Sequence, residues 1–271
     1  IGGYAIPTTI FTTFISKIKN IDLYFWLERP INEQSGIKKY LKELYLKFLL
    51  SQAVKVFAIG KLAVDRYSLY HRNVVNLPYS MNLSEFYKIK RKHNRNGKIR
   101  FLFSGQYINR KNIINIIKAF KLIENKNLEL NLIGGGELQA EVSNLIQNDN
   151  RVNDIGFVQP QELPKIYANN DIFLMPSKHD GWALVINEAM ASGMPIISTS
   201  RVGAIVEYLI HNEGGFVCDI DEKSIQKGIQ YYTDNVQIIT KQGLKNREII
   251  KLSLGDVKLA SVFLIKELKR R

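Results

Sequence analysis

The sequence predicts an α/β protein built from parallel, doubly wound sheets in two successive Rossmann-like units. Three observations carry that expectation. Apolar runs of strand length alternate with segments of helical period along the chain. Several of these runs stop at glycine, as at Gly60, Ser104-Gly105 and Gly134-Gly135-Gly136. A basic, Asn-rich stretch at 88–98 interrupts the alternation with the composition of an exposed linker.

Taken in order, Gly2-Gly3 with Pro7 reads as a loop entering a helix; it lacks the charged start of a secretion signal. The chain opens at Ile1 without an initiator Met, so a fragment of a longer protein is expected. Residues 21–27 read as a buried strand. Residues 37–50 form a helix with Lys38, Lys39, Lys42, Glu43 and Lys47 on its polar side. A strand at 54–59, a helix at 61–70 and a strand at 74–77 complete half a domain, with the boundary placed at 90/91.

Beyond it, 99–103 is a strand. The helix that follows repeats Ile113, Ile116, Ile117, Phe120 and Ile123 at the spacing of one buried face. Strands at 128–133, 152–157, 172–175 and 196–199 alternate with helices at 137–147, 163–168 and 183–191. Pro164 is tolerated in a first helical turn, and Gly193 suits the position after a helix end. Helices at 221–232, 236–252 and 256–269 close the chain.

Composition narrows the function classes. With 271 residues, 45 % of them hydrophobic, the chain can bury one large core or two modest ones. No apolar run approaches the roughly 20 residues of a membrane-spanning helix. Lone Cys218 excludes an internal disulfide framework and points to a reducing compartment, with the cytoplasm as the expected location. The excess of 38 basic over 25 acidic side chains, +13, implies attraction to polyanions. The charge is dispersed apart from clusters at 88–95 and 266–271, and no nucleic-acid module accompanies it, so no nucleic-acid partner is expected. His71, His93, His179 and His211 lack paired ligand spacing, and no zinc site is expected. Gly134-Gly135-Gly136 lacks the spacing of a dinucleotide fingerprint. Asp219-Ile220-Asp221 imitates an Asp-x-Asp metal motif, but Asp221 reads better as a helix N-cap.

Two strand ends carry chemistry. After the strand at 172–175, Asp180 precedes a helix and Glu188 lies about two turns along it, at the sheet edge where open α/β folds bind ligands. The main-chain N–H groups of Gly181, Trp182, Ala183, Leu184 and Val185 are free of intrahelical acceptors there and suit an anion such as a diphosphate. Glu188 suits a ribose diol. The same spacing also fits Asp180 as a plain N-cap and Glu188 as a solvated surface acid. After the strand at 99–103, Gly105 and Gln106 lead to Arg110 and Lys111. A cation opening a helix opposes the macrodipole and invites a phosphate, although solvated loop charges are the alternative.

Residues 105–120 resemble the Gly-Arg-x-x-x-x-Lys-Gly loop and helix of the large family-4 retaining glycosyltransferases. Asp180 and Glu188 are similar to that family's two acids separated by seven residues, in the variant beginning Asp-Gly-Trp. Ala189-Met190-Ala191-Ser192-Gly193-Met194-Pro195 resembles the continuation of that motif. Arg201-Val202-Gly203-Ala204, Glu207 and Gly214-Gly215-Phe216 resemble the downstream loops, and Gly156-Phe157-Val158 with Leu163 and Tyr167 also fits.

The resemblance implies a GT-B fold and transfer of a sugar from a nucleoside diphosphate sugar, UDP- or GDP-linked, to a glycan or lipid-linked acceptor in cell-surface polysaccharide or glycolipid synthesis. Configuration would be retained, with no cofactor and no metal. Lys111 would hold the diphosphate and Asp180 the transferred sugar, the two catalytic assignments. Glu188 would take the ribose, Gly181, Ala183, Leu184 and Val185 would offer N–H groups, and the backbone of Gly134 and Val158 would flank the base. Gly105, Gln106 and Arg110 line the same loop; Gln106 stands where the family has Arg, and Asp180 where Glu is commoner. Residues 1–90 would be the truncated acceptor-side domain, 91–255 the donor domain, and 256–271 a helix crossing back. The basic helix 37–50 either covers the sheet or makes peripheral contact with an anionic membrane, as at the inner face of a plasma membrane. A non-catalytic nucleotide-sugar binder or inactive fragment of the same fold is the alternative.

Overall fold

The computed structural model describes residues 2–3, 7–29, 36–91 and 97–270. They fall into two compact units, Ile1–Tyr79 with Ala260–Arg271, and Ser80–Leu259.

The first unit runs α1 (Pro7–Ile18), β1 (Tyr24–Leu27), α2 (Ile37–Leu50), β2 (Lys55–Ala58), α3 (Lys61–Tyr67) and β3 (Val74–Asn76). Its strands pair in parallel in the order β1-β2-β3, with Phe25 opposite Val56 and Val56 opposite Val74. Phe25, Leu27, Val56 and Ala58 are buried together with Leu49, Leu50, Ala63 and Tyr67. Lys55 is the buried polar exception in β2, and its ammonium is fully engaged. It donates to the backbone O of Glu267 (2.7 Å), to Glu267 Oε2 (3.0 Å) and to the O of Arg270 (3.3 Å).

Helix α1 packs in an inverted sense. It buries Thr9, Thr13 and Ser16 and exposes Ile10, Phe11, Phe14, Ile15 and Ile18. The burial is tolerable because Thr13 returns its hydroxyl to the O of Thr9 at 2.8 Å. Helix α2 buries Leu46, Leu49 and Leu50 against the sheet, while Ile37, Tyr40, Leu41, Leu44 and Phe48 stay exposed.

The second unit begins with α4 (Ser84–Tyr87). It continues through β4 (Ile99–Ser104), a 3-10 turn at Asn109–Lys111, α5 (Ile113–Lys121), β5 (Leu128–Ile133), α6 (Gln139–Ile146), β6 (Val152–Gly156), α7 (Leu163–Ala168) and β7 (Ile172–Met175). Then come α8 (Leu184–Ala191), β8 (Ile196–Ser198), α9 (Gly203–Tyr208), β9 (Gly215–Val217), α10 (Glu222–Asp234), α11 (Ile238–Lys251) and α12 (Val257–Lys269), the last ending within the first unit. All six strands are parallel in the order β6-β5-β4-β7-β8-β9. The core joins Phe101 and Phe103 of β4, Leu130 and Leu132 of β5 and Leu174 of β7 to the expected apolar face of α5 and to Ile225, Ile229 and Tyr232 of α10. Because the chain first builds outward from β4 to β6 and then returns as β7 on the other side of β4, the strand order reverses between β4 and β7. Such a reversal opens a crevice at the carboxyl ends of the two strands.

The division falls after Tyr79 rather than at 90/91. Residues 80–91 belong to the second unit because Met81 N donates to Gly255 O (3.2 Å), Phe86 meets Tyr167 edge-on (5.3 Å) and Arg91 Nε donates to Ser192 O (2.6 Å). Residues 92–96 of the expected linker lie outside the described residues. The second unit likewise extends to Leu259 rather than 255. Among the described residues, no helix is long and apolar enough to cross a membrane.

Candidate functional site

The crevice is built from the loops after β4 and β7, and the backbone ties them together. Lys178 N donates to Arg110 O at 2.9 Å, and the Lys178 ammonium bonds Asn109 Oδ1. The Arg110-Lys111 segment forms the 3-10 turn rather than the expected opening of α5. Asn112 adopts a left-handed conformation (φ 63°) that separates turn from helix. Its buried amide holds the turn in place, donating to Pro176 O (3.1 Å) and Ile220 O (2.8 Å).

This turn aims Lys111 at Asp180. The Lys111 ammonium bonds Asp180 Oδ2, and Arg110 Nη1 reaches the same oxygen at 3.2 Å and His179 O at 2.9 Å. Lys111 and Asp180 side chains are 12 % and 11 % exposed, Arg110 43 %, so the pair is largely shielded and the guanidinium reaches outward. Gln106 is exposed. Asp180 is therefore not an N-cap. The cap position of α8 is Ala183, held at φ 73° and ψ 83°, where a residue with a Cβ is strained. Strain of this kind persists where surrounding contacts over-determine the backbone, and here they do. Asp180 N donates to Arg201 O (3.1 Å), Gly203 N to Asp180 O (3.1 Å) and Ala204 N to Trp182 O (3.0 Å). Among the described residues, no backbone acceptor takes the N–H of Gly181, Ala183, Leu184 or Val185. These donors are available to an anion at the helix start.

Glu188 is not a solvated acid. It is 8 % exposed, and Oε2 accepts a hydrogen bond from the Tyr167 hydroxyl at 2.8 Å. Burial pushes its carboxyl up to about 7, partly countered by that hydrogen bond. Gly134, at the end of β5, packs so tightly that a Cβ would meet Gly105 O at 1.9 Å, bringing the two loops into direct contact. Gly134 N donates to Gly156 O (2.9 Å), and Val158 lies half-buried just past β6. The structure thus brings Gly105, Arg110, Lys111, Asp180, Gly181, Ala183, Leu184, Val185 and Glu188 to the ends of β4 and β7, with Gly134 and Val158 on the β5 and β6 side. Two contributors were invisible to spacing arguments, Tyr167 and Asn112. Their roles depend on contacts across 21 and 64 residues of chain.

Elsewhere the chemistry is structural. Asp221 caps α10, its Oδ1 accepting from Ser224 N at 3.0 Å. Among the described residues, no three His, Cys, Asp or Glu side chains converge as a metal-ligand group would. A cavity of about 550 Å³ lined by Lys98, Lys121, Glu124, Lys126 and Arg151 sits at the opposite edge of the sheet, with both signs of charge.

Comparison with known proteins places this geometry. The family described as Glycosyl transferases group 1 matches residues 85–247, which contain all the site residues named above. The chain is 24 % identical over 204 residues to N-acetyl-alpha-D-glucosaminyl L-malate synthase of Bacillus anthracis, covering 74 % of this chain and 50 % of that protein. It is 30 % identical over 137 residues to the capsular polysaccharide biosynthesis glycosyltransferase CapM of Staphylococcus aureus, covering 47 % of this chain and 35 % of that one. The chain therefore spans half or less of the length of these relatives. Among solved structures, Anabaena Alr3699/HepE in complex with UDP superposes with a TM-score of 0.80 at 16 % identity, over 97 % of this chain and 76 % of that one. Likeness at that identity shows the shared fold, which is of the GT-B type.

Proposed function

This chain belongs to the group 1 glycosyl transferases, and we propose that it binds a nucleoside diphosphate sugar in the β4/β7 crevice and transfers the sugar, with retained configuration, to a glycan or lipid-linked acceptor. The carrying observation is the convergence of Lys111, from the loop after β4, with Asp180 and Glu188, from the loop and helix after β7, on the point where strand order reverses. UDP and GDP are the nucleotides the reading favours, in keeping with the UDP bound to Alr3699/HepE. Polysaccharide synthesis is the process, in keeping with the name of CapM.

In this reading Lys111 meets the diphosphate, and Arg110 supplies the second positive charge that Gln106 does not. The acceptor oxygen bonds to the anomeric carbon as the bond from that carbon to the β-phosphate oxygen breaks. The electron pair stays with the diphosphate, which accepts the acceptor's proton on the same face. Lys111 stabilises the charge gathering on that leaving group, the kind of help that counts most in a shielded cleft. Asp180 holds the transferred sugar, Glu188 accepts from the ribose hydroxyls, the N–H groups at the start of α8 face sugar and phosphate, and the backbone of Gly134 and Val158 flanks the base. With two cations at the diphosphate, the reading assigns no metal.

The test incubates the chain with UDP- and GDP-linked hexoses and glycan acceptors without divalent ions, and reads product anomers by NMR. α-Linked product from an α-linked donor supports the proposal. Inverted product contradicts it, and nucleotide-sugar binding without transfer favours a binding-only protein of this fold.

A lipid-linked acceptor would also give a role to the exposed faces of α1 and α2. Ile10, Phe14 and Phe48 border a shared apolar recess, and Lys17, Lys38, Lys39 and Lys47 stand on the same two helices, a pattern complementary to an anionic bilayer surface. Flotation with phosphatidylglycerol vesicles, weakened by salt and by Phe14→Ser with Phe48→Ser, is the expected result. No flotation at low salt removes this part of the reading.

A further inference from the structure

We propose that Tyr167 is the positioning residue for the nucleotide site, holding the Glu188 carboxylate aimed at the ribose. This rests on the reading of Glu188 given above. Glu188 lies on α8, buried, and a carboxylate there needs a donor that is itself fixed. Tyr167 meets that need. Its ring is fully buried at the end of α7, stacked on Phe173 (5.8 Å) and met edge-on by Phe86 (5.3 Å). Its hydroxyl donates to Glu188 Oε2 at 2.8 Å, and Ser104, at the end of β4, hydrogen-bonds the same hydroxyl. One phenol therefore links the strand end that leads to Lys111 with the carboxylate on α8.

The chemistry explains why a phenol is needed. Burial raises the Glu188 carboxyl to about 7, and the hydrogen bond from Tyr167 is the influence that lowers it. Besides burial, Tyr167 is the one influence among the described residues on the Glu188 carboxyl, and the other titratable groups near α8 have different surroundings. On α4, burial and Asp256 act on Tyr87; on α9, burial and the nearby Ser253 and Glu207 act on Tyr208; on α11, Arg247 donates to Ala191 O and Ser192 O at the far end of α8. One oxygen of Glu188 is committed to Tyr167, which fixes the rotamer and leaves Oε1 to accept from the ribose.

The experiment titrates UDP and GDP, and their 2′-deoxy forms, into wild-type, Tyr167→Phe, Ser104→Ala and Glu188→Gln chains between pH 5.5 and 8.5. Tyr167→Phe keeps the ring and its packing and removes only the hydroxyl. It should weaken binding of the ribonucleotide about tenfold or more. It should also move the pH midpoint of binding upward from about 7, because the influence that lowers it is gone. Ser104→Ala should shift both in the same direction by less, which keeps the test alive should Tyr167→Phe not fold. A folded Tyr167→Phe chain with wild-type affinity and midpoint overturns the inference while Glu188→Gln still weakens binding. If Glu188→Gln changes neither affinity nor the preference for ribose over deoxyribose, the reading of the site itself fails.

Discussion

Replacing Asp180 with Asn perturbs the ion cluster at the crevice in a direction that simple loss of function would not produce. In the free chain, Asp180 occupies Lys111 and lies 3.2 Å from Arg110 Nη1. A diphosphate reaching Lys111 must displace that carboxylate and then sit beside it. Two unit charges about 5 Å apart repel by roughly 3 kcal/mol at an effective dielectric constant near 20. The two cations and solvent reduce the net effect to about 1–2 kcal/mol. Asp180→Asn should therefore tighten UDP or GDP binding about tenfold. The same change strips Lys111 of its charged partner, so the empty chain should lose about 1–3 kcal/mol of stability, recovered when nucleotide is bound. Transfer, by contrast, should fall, because Asp180 is assigned to the sugar. Calorimetry and thermal melting with and without UDP or GDP read both quantities on one sample. Tenfold weaker nucleotide binding by an Asp180→Asn chain that melts normally would refute the reasoning, since the carboxylate would then be a ligand for the nucleotide and not its competitor.

Three further outcomes are expected. Gly134→Ala places a Cβ 1.9 Å from Gly105 O at a φ of +137°, so the loops after β4 and β5 must separate; nucleotide binding is lost and stability falls by at least about 3 kcal/mol, checked by calorimetry and urea melts. Glu188 has its carboxyl raised from 4.5 to about 7, so the native chain binds more protons than the unfolded one between those values. This group's contribution to stability is full below 4.5 and is lost as pH rises through about 7, a change of roughly 3 kcal/mol at most; Glu188→Gln should flatten that part of a stability–pH curve. In the first unit, Lys55→Ala leaves Glu267 without its main partner in a site where the two side chains are 3 % and 9 % exposed, and should cost about 3–5 kcal/mol in a denaturant titration. Lys55 also holds the Glu267 carboxyl below its ordinary value, so that pair's contribution is present above the unfolded carboxylate pKa and is lost as pH falls through the lower, folded one.

The parts of the fold legible in the sequence were those written in periodicity. Strands Leu128–Ile133 and Ile172–Met175 and helices Ile37–Leu50 and Leu163–Ala168 stand at their expected limits, because an apolar run or stripe bounded by Gly, Asn or Pro leaves little freedom. The short elements Ser84–Tyr87, Gly203–Tyr208 and Gly215–Val217 gave no such signal, since three to six residues cannot establish a period. The inverted α1 was beyond reach for a different reason. An apolar stripe in sequence says which face is apolar, and only tertiary structure shows that Thr9, Thr13 and Ser16 face inward instead. At the site, the strand-end loops and the spacing of Asp180 and Glu188 were readable. Their surroundings were not. Capping rules suit Asp180 well, yet the chain places Ala183 in the cap position and commits the carboxylate to Lys111, because the loop after β4 brings a cation there from 69 residues away. Tyr167 was visible as a residue and not as a partner, for the same reason.

The most direct test of the central claim is calorimetric titration of UDP and GDP into the wild-type chain and into Glu188→Ala, with no divalent ion added. Saturable binding of one nucleotide by the wild type, weakened about a hundredfold or more in the variant, is the predicted result. Equal binding by both folded chains would contradict it and move the nucleotide away from the β4/β7 crevice.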